Sequence, residues 1–274
     1  MTPSEGIRIS GAVRLDQVGT SVSSAGDINH DGIDDIVIGA LGASASGKSS
    51  PTPGEGVAYV IFGKTDIADI DLGALSPTDG FRIIGGDTDD WTGWTVSSAG
   101  DVNGDGVDDV LVSANRASGV GNLEHWAGEA YVIFGKETSD GIVFSDIDVD
   151  QLSPEEGIRI IGADAEDRTG SSVAAVGDVN GDGYADILVS ARRGDGIDGA
   201  SPDSGEIYLI FGGANLGTID LGDFTAADGI IFYGADPGDM AGYSIAGGGD
   251  VNGDGVDDII IGTGFCDEAY VIFG

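Results

Sequence analysis

Gly100-Asp101-Val102-Asn103-Gly104-Asp105-Gly106-Val107-Asp108-Asp109-Val110, GDVNGDGVDDV, decides the fold because the chain spells it four times. The other copies are GDINHDGIDDI from Gly26, GDVNGDGYADI from Gly177 and GDVNGDGVDDI from Gly249. Their first aspartates, Asp27, Asp101, Asp178 and Asp250, are 74, 77 and 72 residues apart. Two further strings keep that period. Gly6, Gly80, Gly157 and Gly229 open GIRISG, GFRIIG, GIRIIG and GIIFYG, and Tyr59, Tyr131, Tyr208 and Tyr270 open YVIFG or YLIFG. The chain is therefore one domain, 1–274, of four units at approximately 6–79, 80–156, 157–228 and 229–274. A fixed period of this length is a mark of propeller and solenoid architectures.

Each unit holds four short β-branched or alternating segments bounded by Gly, Asp or Ser, such as GFRIIG, GWTVSSAGD, DDVLVSA and EAYVIFG. No segment has ten residues of helical apolar periodicity. The expectation is an all-β β-propeller of four-stranded antiparallel blades. Small residues (Ser23, Ser24, Ala25; Ala174, Ala175) suit a crowded innermost strand, and Ile36, Val37 and Ile38 suit a strand buried on both faces.

Counted from its first Asp, each loop carries side-chain oxygens at positions 1, 3, 5 and 9. These are Asp27, Asn29, Asp31 and Asp35; Asp101, Asn103, Asp105 and Asp109; Asp178, Asn180, Asp182 and Asp186; and Asp250, Asn252, Asp254 and Asp258. Position 6 is always glycine, which allows a sharp turn. Position 7 (Ile33, Val107, Tyr184, Val256) varies, as a residue used only for its carbonyl would. One oxygen from each of positions 1, 3, 5 and 7 and a bidentate Asp at 9 make six, a Ca²⁺ complement once water is added. Four Ca²⁺ sites are expected on this reading. An EF-hand needs Glu at position 12, where this chain has Ile38, Val112, Val189 and Ile261. A metal-free hairpin turn needs one Asp-Gly, not four oxygens at fixed offsets. The acids at position 8, Asp34, Asp108 and Asp257, are expected to face outward, since the third copy has Ala185 there.

These residues resemble the FG-GAP repeat of integrin alpha-chain β-propellers and their bacterial extracellular relatives. The carrying motifs are IFG at Ile61–Gly63 and its equivalents, GA at Gly39-Ala40, and the DxNxDGxxD hairpin. Integrin propellers have seven blades where this chain has four repeats, and GA becomes Ser113-Ala114, Ser190-Ala191 and Gly262-Thr263. The resemblance implies that Gly6–Gly11 is an outermost strand without a blade of its own; it could complete the last blade and close a four-bladed ring, the alternatives being a fragment of a longer array and a larger ring formed by two chains. It also implies that the hairpins and the IDL connections (Ile70–Leu72, Ile219–Leu221) share one rim.

The opposite rim then carries Trp91, Trp94, Trp126, His125, Arg14, Arg116, Arg168, Arg192 and Arg193: every Trp and five of the eight arginines. Its functional reading is a face for a protein ligand or an anionic glycan, and its plain reading is ordinary loop composition with Trp94 packing a blade. Arg193-Gly194-Asp195 spells RGD, a tripeptide that chance accounts for in a chain of this length.

Composition narrows the function classes. With 48 Asp+Glu against 11 Lys+Arg the formal charge is −37, which excludes a nucleic-acid backbone as partner. Hydrophobic content of 41% supports a core. Cys266 is alone, so no internal disulfide forms, and calcium would do the stapling in an extracellular setting. No apolar run is long enough for a membrane helix, and no signal-peptide pattern follows Met1. His30 sits inside a loop, His125 is isolated, and no Ser/His/Asp or zinc-ligand spacing appears. The expected function is a non-enzymatic calcium-binding extracellular module for adhesion or ligand binding. The alternatives are the scaffold of a polysaccharide-degrading enzyme and a structural spacer in a larger surface protein.

Overall fold

The computed structural model describes residues 6–44, 54–119, 123–138, 143–264 and 266–274. Its secondary structure is strands with a few single-turn 3₁₀ segments. Each repeat string becomes a strand at the same place. The first sheet runs β2 (Val18–Gly26), β3 (Asp35–Ala40), β4 (Val57–Ile61) and β6 (Gly80–Ile84), all antiparallel neighbours. The second runs β7 (Thr92–Gly100), β8 (Asp109–Ala114), β9 (Glu129–Ile133) and β11 (Gly157–Ile161). The third runs β12 (Thr169–Gly177), β13 (Asp186–Ala191), β14 (Glu206–Ile210) and β16 (Gly229–Tyr233). The last has three strands, β17 (Ser244–Gly249), β18 (Asp258–Gly262) and β19 (Ala269–Ile272). The outer strand of every full sheet thus comes from the next sequence unit, so successive units are interlocked.

The first strands pack in series, β2 on β7, β7 on β12 and β12 on β17. Close approach dictates small residues there. A Cβ on Gly39 would overlap the Gly93 carbonyl, and one on Gly170 would lie 2.7 Å from Ser113 Cβ. This is why the GA position accepts Gly or Ser and nothing larger. Buried strands such as DVLVSA and EAYVI have no exposed face, and their apolar residues form the inter-sheet cores.

Two expectations are corrected, those for the IDL connections and for Ile36. The IDL segments are not simple rim loops. Ile70–Asp71 (β5), Ile147–Asp148 (β10) and Ile219–Asp220 (β15) form short parallel edge strands. β10 lies on β6 and β15 on β11, each strapping the outer strand of the preceding sheet. Short Ile-Asp stretches carry too little periodicity to be read as strands.

Ring closure is not seen in the described strand pairings. Ile9–Ser10 (β1) pairs with β5, held also by the Arg8 amide on Asp69 Oδ1 at 2.9 Å. Among the described residues no strand pairing joins it to the last sheet. The last sheet keeps a bare flank: Tyr270 is 37% exposed where its counterpart Tyr131 is 2% exposed. Ile36 is exposed, whereas its equivalents Val110 and Ile187 are buried, because among the described residues no sheet covers the outer side of the first one.

Candidate metal centres and the opposite rim

Each Asp-rich loop joins a first strand to a second and is built by its own side chains. In the second copy Asp101 Oδ1 accepts the Gly104 and Asp105 amides (2.7 and 3.0 Å), and Asp101 Oδ2 accepts the Gly106 amide at 2.9 Å. Asn103 Oδ1 accepts the Asp105 amide (2.8 Å) and Asp105 Oδ1 the Val107 amide (3.0 Å). The third and fourth copies repeat the pattern. Position 6 has φ of 87, 90, 95 and 94° in Gly32, Gly106, Gly183 and Gly255, a region closed to most side chains.

The carboxylate at position 9 is buried and faces two ways. Asp109 Oδ2 takes the Val102 amide and Oδ1 takes the Gly135 amide, both at 2.9 Å. Asp35 does the same with Ile28 (3.1 Å) and Gly63 (2.7 Å), Asp186 with Val179 and Gly212, and Asp258 with Val251 and Gly274. The loop aspartate is thus tied to the glycine that ends IFG, which is why the two motifs travel together. Burial pushes Asp35 up to about 7 and Asp109 up to about 8, with the other loop aspartates adding to the shift and the amide bonds opposing it. Burial raises Asp186 as well.

Among the described residues no three Asp, Glu, His or Cys side chains are drawn together as a ready-made metal cluster. The donor set nonetheless fits a hard cation. Asp101 Oδ2, Asn103 Oδ1 and both oxygens of Asp109 each accept one amide and keep a lone pair. All side-chain donors are oxygens, and crowded, partly buried carboxylates gain from a neighbouring positive charge.

Position 8 departs from expectation in the second copy, whereas Asp34 and Asp257 are exposed. Asp108 does not face outward: its Oδ2 accepts the Asp27 amide of the preceding loop at 2.9 Å. The Ala185 amide donates to the Asp101 carbonyl, again from one loop to the one before. Stacked sheets put position 8 of each loop beside position 1 of its predecessor, so the loops form a linked row. Among the described residues Asp34 makes no such link to another loop and is exposed.

On the opposite rim the structure brings the Trp and Arg residues together. Trp91 and Trp94 stack with centroids 5.3 Å apart. The Arg116 guanidinium lies 3.4 Å from the Trp91 ring centroid and 5.0 Å from that of Trp126; Arg168 lies 4.8 Å from Trp126. His125 packs on Trp126 at 4.2 Å. Arg192 sits 5.4 Å from Tyr243, which sequence reading missed. Its signal was available, since Tyr243 follows Gly242 as Trp94 follows Gly93. Arg193 meets Asp203 at 3.1 Å and Glu166 at 3.8 Å, so the RGD arginine is engaged within the protein. Arg14 is exposed in the corresponding loop of the first unit. Trp94 also has a packing role, donating through Nε1 to the Ser171 carbonyl at 3.0 Å across two sheets.

Also missed were Asp16, Asp90, Asp167 and Asp239, one per unit, two residues before the Val-Gly, Thr-Gly or Ala-Gly that opens the first strand in three units and precedes it in the fourth. Asp16 and Asp90 accept the Val13 and Asp87 amides at 2.8 Å, and Asp239 accepts the Asp236 amide at 2.9 Å. Burial pushes Asp90 and Asp167 up to about 7, assisted by neighbouring acids. Cys266 donates to Asp239 Oδ1 at 2.7 Å, which pushes the thiol up to about 11 and away from nucleophilic use.

The repeated loop, its tie to the IFG glycine and the strand order agree with one family, FG-GAP repeat, which matches residues 18–61, 92–133, 169–210 and 241–267. The chain belongs to the FG-GAP repeat family. Three of the matched segments span the first three strands of a full sheet. The chain is similar to Integrin alpha-PS2 of Drosophila melanogaster (26% identical, 90% of this chain and 15% of that protein). It is similar also to Integrin alpha-5 of Xenopus laevis (27%, 92% of this chain and 20% of that protein). Phosphatidylinositol-glycan-specific phospholipase D of Bos taurus is 31% identical over 63% of this chain and 18% of that protein. The chain therefore spans about a fifth or less of the length of these relatives. Among the described residues no helix is long and apolar enough to cross a membrane.

Proposed function

We propose that this FG-GAP chain is a calcium-binding, extracellular, non-enzymatic β-propeller module of adhesion type, with its metal loops on one rim and a ligand face on the other. The observation that carries the reading is the repetition of one oxygen donor set in four loops, each tied through its buried ninth-position aspartate to an IFG glycine. Positions 1, 3 and 5, the carbonyl at 7 and the carboxylate at 9 would hold the ion, which would neutralise carboxylates that burial leaves costly to ionise. Similarity to integrin alpha chains supports adhesion and a protein partner. The raised Cys266 thiol supports a role without catalysis.

Ring closure belongs to the same proposal. β1 carries the outer-strand sequence, and among the described residues the last sheet has three strands and β1 pairs only with β5. A stable dimer in light scattering would count against closure within one chain.

The deciding experiment is thermal unfolding with a calcium titration and with chelator. Sites about ten- to a hundredfold above their Kd would each add roughly 1.4 to 2.7 kcal/mol. An unchanged Tm would overturn the calcium reading.

A further inference from the structure

Among the described residues, every buried side-chain polar atom without a protein hydrogen-bond partner belongs to the rim opposite the metal loops. They are Trp91 Nε1, Thr92 Oγ1, both amide atoms of Asn115, the Nε atoms of Arg116, Arg168 and Arg192, Thr169 Oγ1 and Ser204 Oγ. Unpaired buried groups are costly, and their gathering on one rim of a native fold calls for an explanation.

Charge points the same way. The chain has 48 acids for 11 bases, yet Arg168 and Arg192 have no carboxylate at ion-pair distance among the described residues. Arg116 reaches Asp89 only at 3.3 Å. Burial lowers the Arg168 pKa, and Arg116, Arg192 and Arg193 lower it further, so the guanidiniums repel one another where acids were plentiful. Aromatic faces hold them instead: Trp91 and Trp126 for Arg116, Trp126 for Arg168, Tyr243 for Arg192. Stacking occupies the face of a guanidinium and leaves its in-plane N–H fork for a planar or tetrahedral anion. The backbone is also held in an uncommon state, with Trp91, Trp126 and Arg168 at φ of 63, 55 and 59°. Non-glycine residues there concentrate at functional sites.

We propose that the Arg116, Arg168 and Arg192 row, with the rings of Trp126 and Tyr243 against it, is a binding stripe for an acidic polysaccharide whose carboxylate or sulfate groups the guanidinium forks receive. The inference rests on reading this rim as the ligand face. A polysaccharide is favoured over an acidic peptide because the rim presents strand ends and loops, not a strand edge. A peptide would forgo the main-chain pairing that usually supplies its affinity. The stripe spans residues of three successive units, which suits a linear polymer with repeated charge.

The full chain, in calcium and about 0.15 M salt so that distant charges are screened, is tested for binding to polygalacturonate, a sulfated glycosaminoglycan, neutral dextran and polyglutamate. The variant is Arg168→Gln with Arg192→Leu. The first unit has Gln17 and Leu41 at these repeat positions, and Gln17 adopts φ of 55°, so the substitutions suit the backbone. Arg8→Gln, an exposed arginine outside this rim, is the control. The expected result is binding to one or both acidic polysaccharides and not to dextran, weakened roughly tenfold or more in the double variant and unchanged in the control. The two acidic polymers separate carboxylate from sulfate recognition. Absence of binding, binding unchanged in the double variant, or polyglutamate held as tightly as the polysaccharides would overturn the proposal. A calcium-dependent Tm measured on the same sample separates failure of this inference from failure of the calcium reading.

Discussion

Asp109 Oδ1 accepts the backbone N–H of Gly135 at 2.9 Å, joining the Asp-rich loop to the end of the third strand, 26 residues away. With Val102 on its other oxygen, this buried carboxylate ties three consecutive strands together at one end.

Asp109→Asn exchanges one acceptor oxygen for a donor facing an amide, and Gly135→Ala places a methyl 2.6 Å from Val107 Cγ1 and into the Asp108 carbonyl. Both are expected to cost about 2 kcal/mol or more. Denaturant unfolding measures this, and a loss below about 0.5 kcal/mol in both would refute the staple.

The bond between Asp108 and the Asp27 amide predicts coupling between loops. Asp108→Ala is expected to lower stability by about 1 kcal/mol and to speed amide exchange at Asp27 of the preceding unit. Asp34→Ala, at the exposed equivalent in the first unit, should do neither. Hydrogen exchange followed at Asp27 distinguishes the two.

Burial raises the folded-state pKa of Asp167 from 3.8 to about 7. Between these values the folded chain binds more protons than the unfolded one, so this group makes stability fall as pH rises from about 4 through about 7. Asp167→Asn is expected to raise Tm at pH 8 and to leave it nearly unchanged at pH 4. Melting curves at the two pH values test the sign, and an equal shift at both would remove the titration argument.

Val22 and Val96 occupy the same position in β2 and β7 but are 67% and 5% exposed. Val96→Ala is therefore expected to cost about 2 kcal/mol, and Val22→Ala well under 1. Equal costs would mean that the first sheet has a cover in solution, as ring closure or association would provide.

Much of this was legible in residues alone. Four spellings of GDxNxDGxxD at 72 to 77 residue intervals determined the all-β repeat architecture, the strand order within a sheet and the oxygen positions of each loop. Repetition exposes whatever every unit must satisfy locally: the turn at Gly106, the amide-accepting Asp101, the small residue at Gly39. Tertiary structure decided the rest. That Asp109 answers Gly135, that Asp108 reaches back to Asp27, and that β10 straps β6 depend on how sheets stack, and the residues involved lie 26 to 81 positions apart. The meeting of Arg116, Arg168 and Arg192 has the same origin. Each belongs to a loop that looks ordinary in its own unit, and only packing in series brings their charges together.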